Sequence, residues 1–183
     1  YTQHTEEFYD FYKNKMIFLD AKPNKAHLKL AEMEQAGKLS AIVTQNIDGL
    51  HQAAGSKNVF ELHGSVHRNY CQKCGKFFDV NYVVNAKGVP YCDECGGIIK
   101  PDVVLYEEGL DSQTINGAVR AISKADMLII GGTSLVVYPA AGMIDYFKGK
   151  YLAVLNRDAT SRDKQADLCI TDLIGEVLGR IRV

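Results

Sequence analysis

Net charge, long apolar runs and repeated segments are what this chain has least of. Lys and Arg number 21 against 22 Asp and Glu, so there is no electrostatic footprint for nucleic acid or an anionic membrane surface. No stretch approaches the roughly 18 apolar residues of a membrane span, which predicts a soluble protein. No internal repeat or low-complexity linker occurs, and this leaves one large domain with an appended module as the expected plan. A disulfide framework is also missing. Of five Cys, four fall into two Cys-x-x-Cys pairs, which suit metal binding in a reducing compartment better than disulfides. The first residue is Tyr1 rather than Met, already inside a helix-like pattern, so the natural start is expected to lie outside these residues and they give no basis for judging a targeting signal.

What is present is organised around residues 44–63. Ser40-Ala41-Ile42-Val43 has the apolar, β-branched character of a buried parallel strand, and it passes at once into Thr44-Gln45-Asn46-Ile47-Asp48-Gly49-Leu50-His51. In open doubly wound sheets the ligand crevice lies outside the carboxyl ends of the strands, so Gln45, Asn46 and Asp48 are expected to face it together. Val59-Phe60-Glu61-Leu62 reads as a second short strand ending in chemistry, with His63 followed by Gly64. One cleft would then receive amides, a carboxylate and an imidazole.

Cys71-Gln72-Lys73-Cys74 and Cys92-Asp93-Glu94-Cys95 form the strongest metal signal. Gly75 and Gly96 follow each pair, permitting the tight turn that aims amide groups at sulfur. Four thiolates from Cys71, Cys74, Cys92 and Cys95 would fill a tetrahedral zinc site and leave no open position. The predicted role is therefore structural, with the metal supplying most of the folding free energy of this short module.

The remaining elements read as alternating helices and strands. Thr5 is placed as an N-cap, and Phe8, Tyr12, Met16 and Leu19 recur at helical spacing as a packing stripe. Pro23-Asn24 breaks the chain before a second helix bearing Ala26, Leu30 and Met33, which Gly37 ends; His27 near its start is read as structural. Pro101 to Tyr106 is strand-like. A helix with Ile115, Ala118, Val119 and Ile122 follows Asp111 or Ser112 as cap. Met127-Leu128-Ile129-Ile130 is the most convincing buried strand, ending in Gly131-Gly132-Thr133-Ser134, with Pro139 opening the next helix. By itself Gly-Gly-Thr-Ser suits a plain βα turn as well as a ribose or phosphate contact. Tyr151 to Leu155 and Leu168-Cys169-Ile170 complete the strands, with Asn156 at the carboxyl end of the former. Cys169 is expected to be a buried small apolar residue. A last helix bears Ile174, Val177, Leu178 and Ile181. The predicted class is α/β, a Rossmann-like parallel-sheet domain at 39–68 and 98–183, with a four-cysteine zinc ribbon inserted at 69–97 and part of a helical module at 1–38.

The run Thr44 to His51, followed by Glu61-Leu62-His63-Gly64, resembles the signature of the sirtuins, NAD-dependent protein deacylases, of bacterial type. The four cysteines and Gly132-Thr133-Ser134-Leu135-Val136-Val137-Tyr138-Pro139 extend the resemblance over nearly the whole chain from the second helix. It implies that Gln45 and Asn46 contact the nicotinamide-side ribose of NAD while Ile47 and Asp48 hold the carboxamide. An amide NH2 needs an acceptor, and a carboxylate is one. It further implies His63 as general base, suited by the ordinary titration range of imidazole. Gly132, Thr133, Ser134 and Asn156 match positions binding the phosphate and adenosine-ribose part. Val104, Tyr106 and Val137 match the walls of an acyl-lysine tunnel. Expected partners are acylated lysines of proteins, with neither nucleic acid nor membrane, in the cytoplasm. Protein ADP-ribosyl transfer on the same fold and a non-catalytic zinc-ribbon module are the alternatives. Two departures stand out. Many relatives have Phe-Gly-Glu where this chain has Tyr106-Glu107-Glu108, and the family's Gly-Ala-Gly phosphate loop has no counterpart here and is expected before Tyr1.

Overall fold

The computed structural model describes Tyr1 and residues 3–183. In chain order the elements begin with helices α1 (Thr5–Phe11) and α2 (Lys25–Gln35), strand β1 (Ile42–Thr44), helix α3 (Leu50–Ala53) and strand β2 (Val59–Glu61). Strands β3 (Gly64–Cys71) and β4 (Phe77–Phe78), helix α4 (Val80–Asn85), strand β5 (Ile99–Val103) and helix α5 (Ser112–Lys124) follow. Last come strand β6 (Met127–Gly131), helix α6 (Ala140–Met143), strands β7 (Tyr151–Leu155) and β8 (Leu168–Ile170), and helix α7 (Ile174–Gly179). The described residues form two compact units, one of residues 1–21, 46–49 and 63–109, the other of residues 22–45, 50–62 and 110–183. No helix among them is long and apolar enough to cross a membrane.

The first unit is built on the antiparallel sheet β4-β3-β5. Its core holds Tyr9, Tyr12, Val66, Phe78, Val83, Ile99 and Val103 together with Cys71 and Cys92, and Phe8, Met16 and Ile47 pack against it. The aromatic stripe is thus packing, although Leu19 lies past the helix and is exposed. Thr5 is not the cap. His4 occupies that position, and the Thr5 hydroxyl donates instead to the Tyr1 carbonyl one turn back, at 3.0 Å. Buried Tyr9 donates its hydroxyl to the Ile99 carbonyl, and burial beside Tyr1 holds its phenol well above the usual range. Lys13 Nζ donates to the carbonyls of Ala86 and Gly88, at 2.7 and 2.6 Å, and so secures the end of α4.

The strand expected at Pro101 to Tyr106 is displaced to Ile99–Val103 and pairs antiparallel with β3. It joins the sheet that carries the cysteines. An apolar run of that length looks the same whether its partner is parallel or antiparallel, so only the pairing could tell. The ladder is interrupted by a bulge: Ser65 opposes Asp102 and Asn69 opposes Pro101, leaving Val66, His67 and Arg68 without opposite numbers. At the start of β3 the backbones nearly touch. Gly64 has φ 73°, and a Cβ there would lie 1.8 Å from the Asp102 carbonyl oxygen, so no other residue fits.

The second unit is α/β with parallel strands. Strand β1 pairs with β2, and β6-β7-β8 form a second parallel sheet. Strand β7 lies at the centre of its sheet, and Leu152 to Leu155 are all buried, as a near-continuous apolar strand between parallel neighbours should be. Asn24 caps α2 by accepting from the backbone of Ala26 and His27, and the His27 ring returns a bond to the Asn24 backbone, which gives His27 the structural role expected of it. Gly37 at φ 69° ends that helix. Asp111 caps α5, whose Ala118 and Ile122 bury against Leu62 and Met143. Helix α7 meets α2 through Leu178 and Ala26, with Lys25 and Glu176 paired at 2.7 Å. Cys169 is exposed rather than buried: it sits on edge strand β8 and its thiol reaches the Asp163 carbonyl at 3.4 Å.

Candidate active site and metal centre

Within the first unit, residues 46–49 leave β1 as an irregular loop held from one side by the β3 bulge. Val66 N donates to the Ile47 carbonyl at 3.0 Å, and His67 Nε2 lies 3.0 Å from the Asp48 carbonyl. Gly49 turns the chain at φ 69°. Ile47 faces the core and Asn46 is exposed. His63 stands in the turn between β2 and β3, half-buried, its carbonyl accepting from Val104 N at 3.1 Å, so the β3-β5 ladder places His63 and Val104 side by side. Tyr106 is fully exposed in the turn after β5.

That turn holds Tyr106-Glu107-Glu108, one of the two departures noted in the sequence. Glu107 adopts φ 71°, the left-handed region in which glycine is at ease. The turn is closed by Glu108, which accepts from Leu105 N at 2.9 Å and pairs with Lys100 at 3.0 Å. Burial opposes its ionisation, but the Leu105 N–H and the Lys100 ammonium hold the carboxyl below the usual carboxylate range. Glu107→Gly is expected to relieve the backbone and stabilise the protein by about 1 kcal/mol, a rise of roughly 2–4 °C in melting temperature. An unchanged or lower melting point would show that the turn carries no such strain.

Within the second unit the remaining residues of interest stand at carboxyl ends of parallel strands. Gln45 follows β1. Gly132, Thr133 and Ser134 follow β6, with Gly132 at φ 62° and its N–H donating to the Leu155 carbonyl at 3.1 Å. The Thr133 hydroxyl accepts from Leu135 N at 3.2 Å. Asn156 follows β7, the neighbour of β6; its N–H donates to the Ile170 carbonyl and its side chain to the Asp158 carbonyl. This is the location at which such sheets bind ligands. Val137 lies beyond them, exposed along with Val136 and Tyr138.

The metal centre belongs to the first unit. The four sulfurs of Cys71, Cys74, Cys92 and Cys95 lie within 4.8 Å of one another. The Cys71–Cys95 and Cys74–Cys92 separations are 3.4 and 3.7 Å, close to the edge of about 3.8 Å of a tetrahedron whose centre is about 2.3 Å from each sulfur. Gly75 and Gly96 have φ 74° and 67°, and their amides return to the carbonyls of Cys71 and Cys92 at 2.9 and 3.0 Å, closing the two knuckles. A Cβ on Gly97 would come within 2.8 Å of the Cys71 sulfur. Against burial, which opposes ionisation, the amides of Cys74 and Lys73 and the neighbouring thiols pull Cys71 down to about 6. Although the Lys76 amide favours its thiolate, the Cys95 sulfur and burial push Cys74 up to about 12. One thiolate forms easily and the next resists, which is the repulsion a central dication removes. The set fits structural zinc. Lys76 spans both knuckles, pairing with Asp93 and Glu94 at 2.8 Å each.

Parallel strands with polar carboxyl ends in one unit and a four-cysteine metal module in the other define a Rossmann-like α/β protein with structural zinc. Residues 1–139 match the model of the Sir2 family, and the chain belongs to that family. It is 65% identical to an NAD-dependent protein deacetylase of Clostridium acetobutylicum over 97% of this chain and 73% of that protein. A protein of the same description in Clostridium perfringens is 63% identical over 99% and 75%. Among solved structures, a Sir2 complex with p53 peptide and NAD+ superposes with a TM-score of 0.91 at 40% identity, over 98% of this chain and 77% of that one. A Sir2Tm structure with a propionylated peptide gives 0.91, also at 40%, over 98% and 78%.

Two groups in this site carry no signal in the sequence. Nothing in Val66 or His67 as residue types announces that they hold the 46–49 loop. They reach it only because the bulge frees them from the ladder.

Proposed function

We propose that this chain is an NAD-dependent protein-lysine deacetylase that releases nicotinamide and O-acetyl-ADP-ribose. The observation that carries the reading is its identity of 65%, over almost its whole length, to an NAD-dependent protein deacetylase. Sir2 structures holding NAD+ with p53 peptide, an acetylated peptide, and 2'-O-acetyl-ADP-ribose with deacetylated peptide support the chemistry. Reaction begins when the acyl oxygen attacks the ribose carbon of NAD as nicotinamide leaves. His63 then removes a ribose proton so that the 2′-hydroxyl attacks the acyl carbon, and one water adds at that carbon as its bond to the lysine nitrogen breaks, which frees the lysine amine and leaves the acetyl ester on ADP-ribose. Asn46, Ile47 and Asp48 serve the nicotinamide end, the Asp48 carboxylate accepting from the carboxamide NH2. Gln45 joins Asn46 at the nicotinamide-side ribose, and Gly132, Thr133, Ser134 and Asn156 serve the phosphate and adenosine-ribose part. Val104, Tyr106 and Val137 line the path of the acyl-lysine. Zinc stays structural within residues 69–97, the Rossmann-like domain comprising 39–68 and 98–183 and the helical segment 1–38. Four reduced thiols fit a cytoplasmic protein.

The test is product analysis by mass spectrometry with NAD and an acetylated peptide. Deacetylated peptide with O-acetyl-ADP-ribose is the expected result, whereas ADP-ribosylated protein without deacetylation would overturn it.

Asp48→Asn is expected to raise the KM for NAD and weaken nicotinamide inhibition, each by about tenfold. A neutral amide is a poorer acceptor than a carboxylate, and it can present its NH2 where an oxygen is required. Steady-state kinetics with nicotinamide titration measure both effects, and parental values would remove Asp48 from the pocket.

A further inference from the structure

We propose that His67 is a positioning residue for nicotinamide recognition: its Nε2–H holds the Asp48 carbonyl and fixes the turn that presents the Asp48 carboxylate. The inference rests on the role given to Asp48 above. Three features of the first unit carry it. The bulge leaves Val66, His67 and Arg68 unopposed in the β3-β5 ladder, so their groups are available to something else. Consecutive β3 residues then hold consecutive loop carbonyls, Val66 N that of Ile47 and His67 Nε2 that of Asp48, both at 3.0 Å. A carbonyl only accepts, so Nε2 carries the proton. The ring also lies over Gly49, where a Cβ would be 2.7 Å from His67 Cδ2. Glycine at that point both permits φ 69° and leaves room for the imidazole.

The bulge is itself secured. Ser65 Oγ, buried, accepts from His67 N at 3.2 Å, and Arg68 Nε donates to Asp102 at 2.7 Å. The His67 backbone N–H and the neighbouring Arg68 side chain are thereby held, while the His67 ring reaches the loop. Without the imidazole the Ile47 bond remains, but the Asp48 carbonyl loses its side-chain donor and the turn gains freedom at the residue whose carboxylate must be aimed.

The test compares His67→Ala, His67→Gln and Asp48→Asn in the full-length polypeptide, with nicotinamide as the probe. Glutamine can place its own N–H where imidazole Nε2 stands. His67→Ala is expected to raise the half-inhibitory nicotinamide concentration by about threefold to tenfold, the range for losing one hydrogen bond, with parental zinc content and melting temperature. His67→Gln should restore most of the loss. If His67→Ala melts early, His67→Leu replaces it, and weakened inhibition in His67→Leu but not His67→Gln supports the proposal. Parental inhibition in His67→Ala alongside a shifted Asp48→Asn would overturn the role of His67 alone. Equal losses in the alanine and glutamine variants would overturn the donor. Parental inhibition in Asp48→Asn would overturn the reading of Asp48 and this proposal with it.

Discussion

His63→Ala, made in the full-length polypeptide, is expected to retain its zinc and melting temperature while its deacylation rate falls by on the order of 10² or more, the usual loss for a positioned acid-base group. The expectation of normal folding has a structural basis. His63 stands half-buried in the turn between β2 and β3, outside the hydrophobic clusters, and the bond that ties it to Val104 is made by its backbone carbonyl. Removing the imidazole leaves that bond in place. The sign of the pH dependence follows from the role. Only unprotonated imidazole can accept the ribose proton, so a limb of the parental profile that rises with pH should be absent from the variant. Near-parental deacylation by His63→Ala would place the base elsewhere and leave His63 a structural histidine.

Cys92→Ala should have the opposite character, losing fold and activity together. Cys92 is buried in the same cluster as Tyr9, Tyr12 and Ile99 while its sulfur faces Cys74 at 3.7 Å, so the side chain serves both core and metal. Structural zinc contributes on the order of 10 kcal/mol to folding in small metal modules, more than the whole margin of many domains. Loss of one of four thiolates is expected to lower zinc occupancy, solubility and melting temperature at once. Zinc content, circular dichroism and turnover measured on one preparation decide the matter. A variant that lost zinc and turnover but melted like the parent would mean that the metal acts in the chemistry, contrary to a closed four-sulfur shell.

Elements whose signal is local were legible from the residues. The parallel strands β1, β2, β6, β7 and β8 were readable as short, largely apolar runs bounded by polar or turn residues, β7 most clearly because Leu152 to Leu155 are all buried, and α2 because Asn24 and Gly37 punctuate it. The cysteine spacing sufficed for the metal cluster, since knuckle geometry depends on a few adjacent residues. What escaped depends on pairing. Pro101 and Val103 are apolar in either kind of sheet, and only the register with β3 assigns them to the antiparallel one. Cys169 has the composition of a core residue, but β8 is an edge strand and leaves it exposed. Thr5 has the chemistry of a cap, yet its hydroxyl bonds a carbonyl one turn back. The support of residues 46–49 by Val66 and His67 was invisible for the same reason, because a bulge is a property of two strands and not of one.

Ile47 packs against the cluster that contains Cys71 and Cys92, and this bears on how the protein should respond to chelators. A loop anchored in a metal-supported core has no stability of its own, so stripping the ion would disorder the loop although no step of the reaction uses it. Inhibition by a strong chelator should therefore develop with time rather than on mixing, at a rate set by unfolding of the first unit. It should lower the number of active molecules and leave the affinity of the survivors for nicotinamide unchanged. Dose–response curves taken after a single incubation would mistake that decay for a weak inhibitor acting at the site.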